Sequence, residues 1–324
     1  MSPLQMRPYQ DEEDFWRIRQ FLRQVFLRNQ RRELSWHVAR FDYFRWHVIE
    51  NRLLNGSMEK NTILWITQNG AIIGVMHPLS EGEIRIHLHP GYQTAELIND
   101  MFTQAEGYLY AQLQSGRWGV YTPVFSDDIQ RQEILVGRGY RKAVGKSHHW
   151  FRDLDEIMLE VPVPAGYAVR SMGTIEEHPS RSLASWNAFH ADEGDENYDQ
   201  DWSWYQNIQT APLYRRDLDI VAANQQGDIC AFCTIYYDDY TRSAVCVLVG
   251  TAAQHQRRGL GKAVMWEGFR RLKTMGCSRV FATAYDPPAE ALYSSMMHRY
   301  YVAETWVKEL MLESINRKDQ RFSS

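Results

Sequence analysis

Gln256-Arg257-Arg258-Gly259-Leu260-Gly261 stands between a strand-like run, Ala244 to Val249, and a helix-like run, Lys262 to Thr274. A strand that turns through small residues into a helix leaves the first-turn N–H groups without intrahelical acceptors, and glycine at 259 and 261 lets an anion approach them closely. A pyrophosphate would suit such a turn. Many helix starts carry two glycines and bind nothing, so this segment alone leaves both readings open.

A second junction lies downstream. Asp286-Pro287-Pro288-Ala289-Glu290-Ala291-Leu292-Tyr293 follows another strand-like run, Arg279 to Tyr285. The first segment has the form Gln/Arg-x-x-Gly-x-Gly/Ala. The second, about 25 residues on, fits Asn-x-x-Ala-x-x-Leu-Tyr at Ala289, Leu292 and Tyr293, with Asp286 where Asn is usual. Together they resemble the acyl-CoA signature of the GNAT acetyltransferase superfamily, over residues 166 to 312.

The resemblance implies an α/β (α+β) domain, a mixed and mostly antiparallel sheet flanked by helices, using acetyl-CoA as cosubstrate and no metal. It implies that Gln256, Arg257, Arg258, Gly259, Leu260, Gly261 and Lys262 hold the diphosphate. Val247, Leu248 and Val249 would pair with the pantetheine arm, the Val249 N–H polarising the thioester oxygen. Asp286 and Ala289 would also face the cofactor. Tyr293 would be the general acid toward the sulfur, since a phenol with a pKa near ~10 is protonated at neutral pH. A packing role for Tyr293, and a solvated-surface role for Arg257 and Arg258, remain open.

Two departures stand out. Met297-His298 occupies the place of the family's Gly-Phe, unless Tyr300-Tyr301 takes it over after an insertion. No carboxylate lies between Ala244 and Gly250, so no general base is evident; His190, Asp192, Glu193 and Asp238 are candidates by proximity alone.

A chain of 324 residues exceeds one compact domain of about 150. With 44% hydrophobic and 13% aromatic residues, two cores can form. The net charge of −4 gives no basic footprint for nucleic acid. No run approaches the ~18 apolar residues of a membrane span, and a cytoplasmic protein, monomer or homodimer, is expected. Four cysteines do not make a disulfide framework. Cys230 and Cys233 lie in a strand-like run, where an odd separation puts them on opposite faces. Cys246 and Cys277 read as small buried hydrophobes.

The expected division is a degenerate GNAT-like domain over 1–155, a linker over 156–165 interrupted by Pro162 and Pro164, the acetyltransferase domain over 166–312, and a polar tail over 313–324. The first half repeats the plan of the second. Helices are expected over Asp11 to Leu27 and Ser35 to Leu54, the latter capped by Ser35. A hairpin turns at Asn69-Gly70. Strand Glu83 to Leu88 then leads to a helix from Thr94. Arg141 to Arg152 closes this half, as Tyr301 to Leu310 closes the other. In Gln93-Thr94-Ala95-Glu96-Leu97-Ile98, however, Glu96 and Ile98 replace the two glycines, and Leu135 stands where the tyrosine should be. This half therefore reads as catalytically silent. An intact second half behind a degenerate first is similar in architecture to mycothiol synthase, a likeness that does not reach substrate-binding residues.

For the acceptor, the stretch from His190 to Tyr205 carries six carboxylates followed by Trp202, Trp204 and Tyr205. It suits a cationic amine through charge and cation–π contact, or forms a solvated loop leading into an amphipathic helix. His190, Glu193, Tyr236 and Asp238 are the substrate-binding candidates. A small primary amine is the expected acceptor. A peptide or protein amine, or an acyl-CoA-binding module without turnover, are the alternatives.

Overall fold

The structure, a computed structural model, describes residues 4–157, 159–193 and 195–311, so the expected polar tail lies outside the described residues. In chain order the first half gives β1 (Gln5–Pro8), α1 (Glu12–Arg28), α2 (Val38–Tyr43) running into a π-helical turn (Phe44–Ile49), α3 (Met58–Asn61), β2 (Ile63–Ile66), β3 (Ile72–His77), β4 (Arg85–Leu88), α4 (Ala95–Tyr108), β5 (Ala111–Gln112), β6 (Trp118–Phe125), α5 (Ile129–Gly137) and β7 (Arg141–Asp153). The second gives β8 (Tyr167–Ser171), α6 (His178–Phe189), α7 (Ser203–Gln209), β9 (Asp219–Asn224), β10 (Ile229–Asp238), β11 (Ser243–Thr251), α8 (Leu260–Thr274), β12 (Arg279–Ala284), α9 (Pro287–Met296) and β13 (Arg299–Glu309). Mixed α/β architecture, with sheets flanked by helices, is what the sequence led us to expect.

The chain forms two compact units that interleave along the sequence. One comprises residues 4–38, 52–147 and 301–311; the other comprises Ala39–Asn51 and His148–Tyr300.

In the first unit, β1 to β4 form an antiparallel sheet in sequential order. The β2–β3 hairpin turns where expected: Gly70 takes φ +82°, and the Thr67 N–H donates to the Ala71 carbonyl at 2.9 Å. Asp11 caps α1 by accepting from the Asp14 N–H, and acidic residues fill its first turn. Trp65, Met101, Phe102, Leu135 and Trp306 meet in the core.

Two expectations are corrected here. Ser35 caps no helix: its hydroxyl accepts from the Leu88 N–H at 3.2 Å, and α2 starts only at Val38. The closing strands are also exchanged. From Ala303 to Glu309, β13 runs antiparallel to β6 in the first unit, while His148 to Asp153 of β7 runs antiparallel to β12 in the second. Partner choice is a long-range matter that no local pattern encodes.

In the second unit the strands lie in the order β7, β12, β11, β10, β9, β8, with only β11 and β12 parallel. Alternation along β9 and β10 sends Ile220 and Ile235 to a core closed by Leu260, Val264 and Phe269 of α8 and Tyr293 of α9. Val221 and Phe232 go to a second core closed by Ala184 of α6 with Tyr205 and Ile208 of α7. The CxxC reading needs correction. The β9–β10 register shifts between Ile229 and Ala231, so Cys230 is an extra, bulged residue, and it joins Cys233 in the same core instead of facing away. All four cysteines are free and buried.

Candidate active site

The second unit's sheet opens at one seam. β11 pairs with β12 only over Ser243–Val245, yet stays paired with β10 as far as Thr251. Its register against β10 shifts across Val247, because Thr234 faces Leu248 while Ile235 faces Cys246. Val247, Leu248 and Val249 thus follow a bulge on an edge that β12 leaves free, and offer backbone groups to an extended ligand.

The loop after β11 ends at the start of α8. Arg257 and Gly259 both take left-handed conformations, φ +61° and +87°, and Gly259 supplies no capping side chain. The first backbone hydrogen bond of α8 comes from the Ala263 N–H to the Gly259 carbonyl. Among the described residues, the six N–H groups from Arg257 to Lys262 have no acceptor. Such a row of open donors at a helix N-terminus attracts an anion. Gln256 braces the loop by donating to the Thr251 carbonyl, and Arg258 is tied to the Tyr167 hydroxyl at 3.0 Å. Arg257 and Lys262 are exposed, with no side-chain partner among the described residues.

The corresponding turn of the first unit is closed from within. Thr94 caps α4 by accepting from the Leu97 N–H through its hydroxyl, its own N–H donates to the Tyr92 carbonyl, and Glu96 stands in the first turn.

α9 begins at Asp286, whose carboxylate accepts from the Ala289 N–H at 2.8 Å, so this side chain serves as the helix cap. Tyr293, about two turns later, is 7% exposed, and its hydroxyl has no hydrogen-bond partner among the described residues. Burial first, then the Cys246, Cys233 and Asp286 groups, push its pKa above the usual phenol value, against a smaller opposing effect of Arg40. It is therefore protonated at any physiological pH. The Met297-His298 departure resolves simply: Met297 is fully buried and its N–H donates to the Tyr293 carbonyl at 2.7 Å.

Of the acceptor candidates, two are engaged in folding. Tyr236 is fully buried and donates its hydroxyl to the Ile208 carbonyl at 2.6 Å. Asp238, also buried, closes the β10–β11 turn by accepting from the Thr241 N–H and hydroxyl. Neither has surface to offer a substrate, which corrects the sequence reading. His190 and Glu193 are exposed at the end of α6, with His190 stacked on Trp186 at 4.0 Å.

Sequence reasoning missed a charged core beside α6. Asp219, with no exposure, accepts from the hydroxyls of Tyr205 (2.5 Å), Tyr214 (3.1 Å) and Thr234 (2.8 Å). Arg181, equally enclosed, lies 3.5 Å from the Phe232 ring centroid and donates to Thr234 at 3.4 Å, while its Nε and Nη1 have no hydrogen-bond partner among the described residues. It also missed the segment Ala39–Asn51. Asn51 donates to the Trp204 carbonyl and accepts from Asn207, and His47, its pKa lowered by burial to about 4, stacks against Tyr43. The available signal was a charge flanked by apolar residues, as in Leu218-Asp219-Ile220.

Among the described residues, no helix is long and apolar enough to cross a membrane. The Acetyltransferase (GNAT) family model matches residues 182–297. No curated protein matches the sequence. Among solved structures, a tandem GNAT protein from the clavulanic acid biosynthesis pathway is similar with a TM-score of 0.67 at 13% identity, covering 95% of this chain and 98% of that one. A GCN5-related N-acetyltransferase from Sphaerobacter thermophilus gives 0.65 at 15% identity, covering 95% and 97%. A GNAT-family acetyltransferase from Colwellia psychrerythraea gives 0.59 at 12%, covering 94% and 100%. The open seam and the uncapped glycine turn lie within the matched segment, and the chain has the fold of tandem GNAT proteins, with residues 182–297 matching the Acetyltransferase (GNAT) family.

Proposed function

We propose that this protein transfers an acetyl group from acetyl-CoA to the primary amine of a small molecule, directly and without an acyl-enzyme. The observation that carries this reading is the pairing of a free β11 edge with six open N–H groups at the start of α8. The diphosphate sits against that turn, with Arg257 and Lys262 adding charge and Gly259 and Gly261 admitting the approach. The pantetheine arm follows Val247 to Val249, and the Val249 N–H stabilises the oxyanion that forms when the amine attacks. Asp286 and Ala289 shape the start of α9 beside it. The C–N bond forms as the C–S bond breaks; the attacking nitrogen loses its proton to solvent, and Tyr293 donates its own to the departing sulfur.

The first half binds no acetyl-CoA in this reading, because the Thr94 hydroxyl and Glu96 occupy the place of an anion. His190 and Glu193 stand at the outer rim of the acceptor side.

The test is calorimetric titration with acetyl-CoA, followed by a thiol-release assay over amino acids, polyamines, aminoglycosides and short peptides. Binding with thiol release on small amines is expected. Binding without release on any amine would make the protein a sensor of acyl-CoA, and release on peptides alone would move the acceptor to a macromolecule.

A further inference from the structure

The first unit has an opening of its own, independent of acetyl transfer in the second. Just before β4, Glu83 meets Tyr121 of β6 in a single parallel bridge, with the Ile84 N–H donating to the Tyr121 carbonyl (2.7 Å) and the Tyr121 N–H to the Gly82 carbonyl (2.8 Å). Beyond that bridge the two strands part. At their carboxyl ends, where open α/β sheets take ligands, lies a cavity of about 170 Å³ bounded by Leu88, Gln93, Arg32, Asp127, Asp128 and Arg131.

Its chemistry is specific. Arg131 is 9% exposed, yet its guanidinium makes no hydrogen bond among the described residues, and its Nε is enclosed and unbonded. The Asp128 carboxylate stands 3.3 Å from that Nε, and its other oxygen caps α5 by accepting from the Arg131 N–H. Arg32 differs, being held by both oxygens of Asp127 at 2.5 Å and lying 4.1 Å from the Tyr301 ring centroid. The Gln93 amide is uncommitted among the described residues.

A buried guanidinium with free donors calls for a planar anion that can accept two parallel hydrogen bonds, which a carboxylate does. Asp127 and Asp128 disfavour a second negative charge and favour an ammonium group. The volume is below the 300–1,000 Å³ typical of sites for drug-sized ligands. We propose that this cavity binds one free amino acid, its carboxylate on Arg131 and its ammonium group toward Asp128 and Asp127.

The test uses the full chain without acetyl-CoA, titrated calorimetrically with the standard amino acids and, as controls, acetate, ethylamine and inorganic phosphate. One or a few amino acids should bind with unit stoichiometry. Arg131→Gln should weaken that binding by about tenfold or more while leaving thiol release with an acceptor amine unchanged. Tyr293→Phe should leave the binding intact, so failure of the acetyltransferase reading would not touch this one. If Arg131→Gln does not fold, Gln93→Glu, which adds a carboxylate at the rim, should give the same weakening. The proposal is overturned if no amino acid binds at millimolar concentration, if acetate or phosphate binds as tightly, or if the binding survives both substitutions and so belongs elsewhere in the chain.

Discussion

Gly261 and Leu292 touch across α8 and α9: a side-chain carbon added at residue 261 would lie 3.3 Å from Leu292 Cδ2 and 3.5 Å from the Thr251 hydroxyl. The glycine turn and the helix that carries Tyr293 are therefore packed as one piece. Gly261→Val should push α9 away, costing ~1–3 kcal/mol of stability and raising KM for acetyl-CoA. Gly259→Ala meets no neighbour closer than 3.8 Å but must hold φ +87°, so a loss of ~1 kcal/mol with a smaller kinetic effect is expected. Urea midpoints and acetyl-CoA saturation curves separate the two.

Tyr293→Phe removes a hydroxyl that has no hydrogen-bond partner among the described residues. Its stability should stay within ~0.5 kcal/mol of the parent, while kcat for thiol release falls about 10²-fold or more. Unchanged turnover would restrict Tyr293 to packing.

The donors around Asp219 hold a buried carboxylate in place. Thr234→Val breaks both the bond to Asp219 and the contact with Arg181, and should cost ~1–3 kcal/mol in urea unfolding. Tyr205→Phe should cost a similar amount. The pair should be non-additive, because both act on one carboxylate.

His77 and His87 form a buried relay in the first unit. The His77 Nδ1–H donates to the Pro78 carbonyl (2.8 Å), which leaves its Nε2 to accept from the His87 Nε2–H (2.9 Å), while His87 Nδ1 accepts from the Trp36 N–H (3.2 Å). Both rings are thus neutral. Burial, with the Arg85 charge, lowers the His77 pKa to about 3 against a smaller raising effect of the Pro78 bond. Burial, then the charges of His77, Arg85 and Arg131, hold His87 well below 6.5. The unfolded chain protonates both near 6.5 while the folded protein does not. Stability is therefore complete above that pH and lost as pH falls from 6.5 toward 3, by about 1.4 kcal/mol per pH unit for each histidine. Urea unfolding at pH 8, 7, 6 and 5 checks this; equal midpoints at 7 and 5 would contradict it.

What the sequence disclosed follows the range of each interaction. The Asn69-Gly70 turn, the glycine bend at 259 and the Leu292-Tyr293 signature are local, because φ preference, capping and helix phase act over a few residues. The bulge at Cys230 broke a period-2 argument by one residue. Arg181 and Asp219 escaped notice because a polar core is set by tertiary neighbours such as Tyr205, 14 residues from Asp219. The passage of Ala39–Asn51 into the second unit has no local signature at all.

The traded strands give the chain a timetable. A ribosome exposes Trp118–Phe125 well before the neighbour those residues need, Ala303–Glu309, is translated. The amino-terminal lobe must wait with an unfilled flank, a natural place for a chaperone to attend. Genes split at the apparent midpoint should yield fragments that fold only when expressed together.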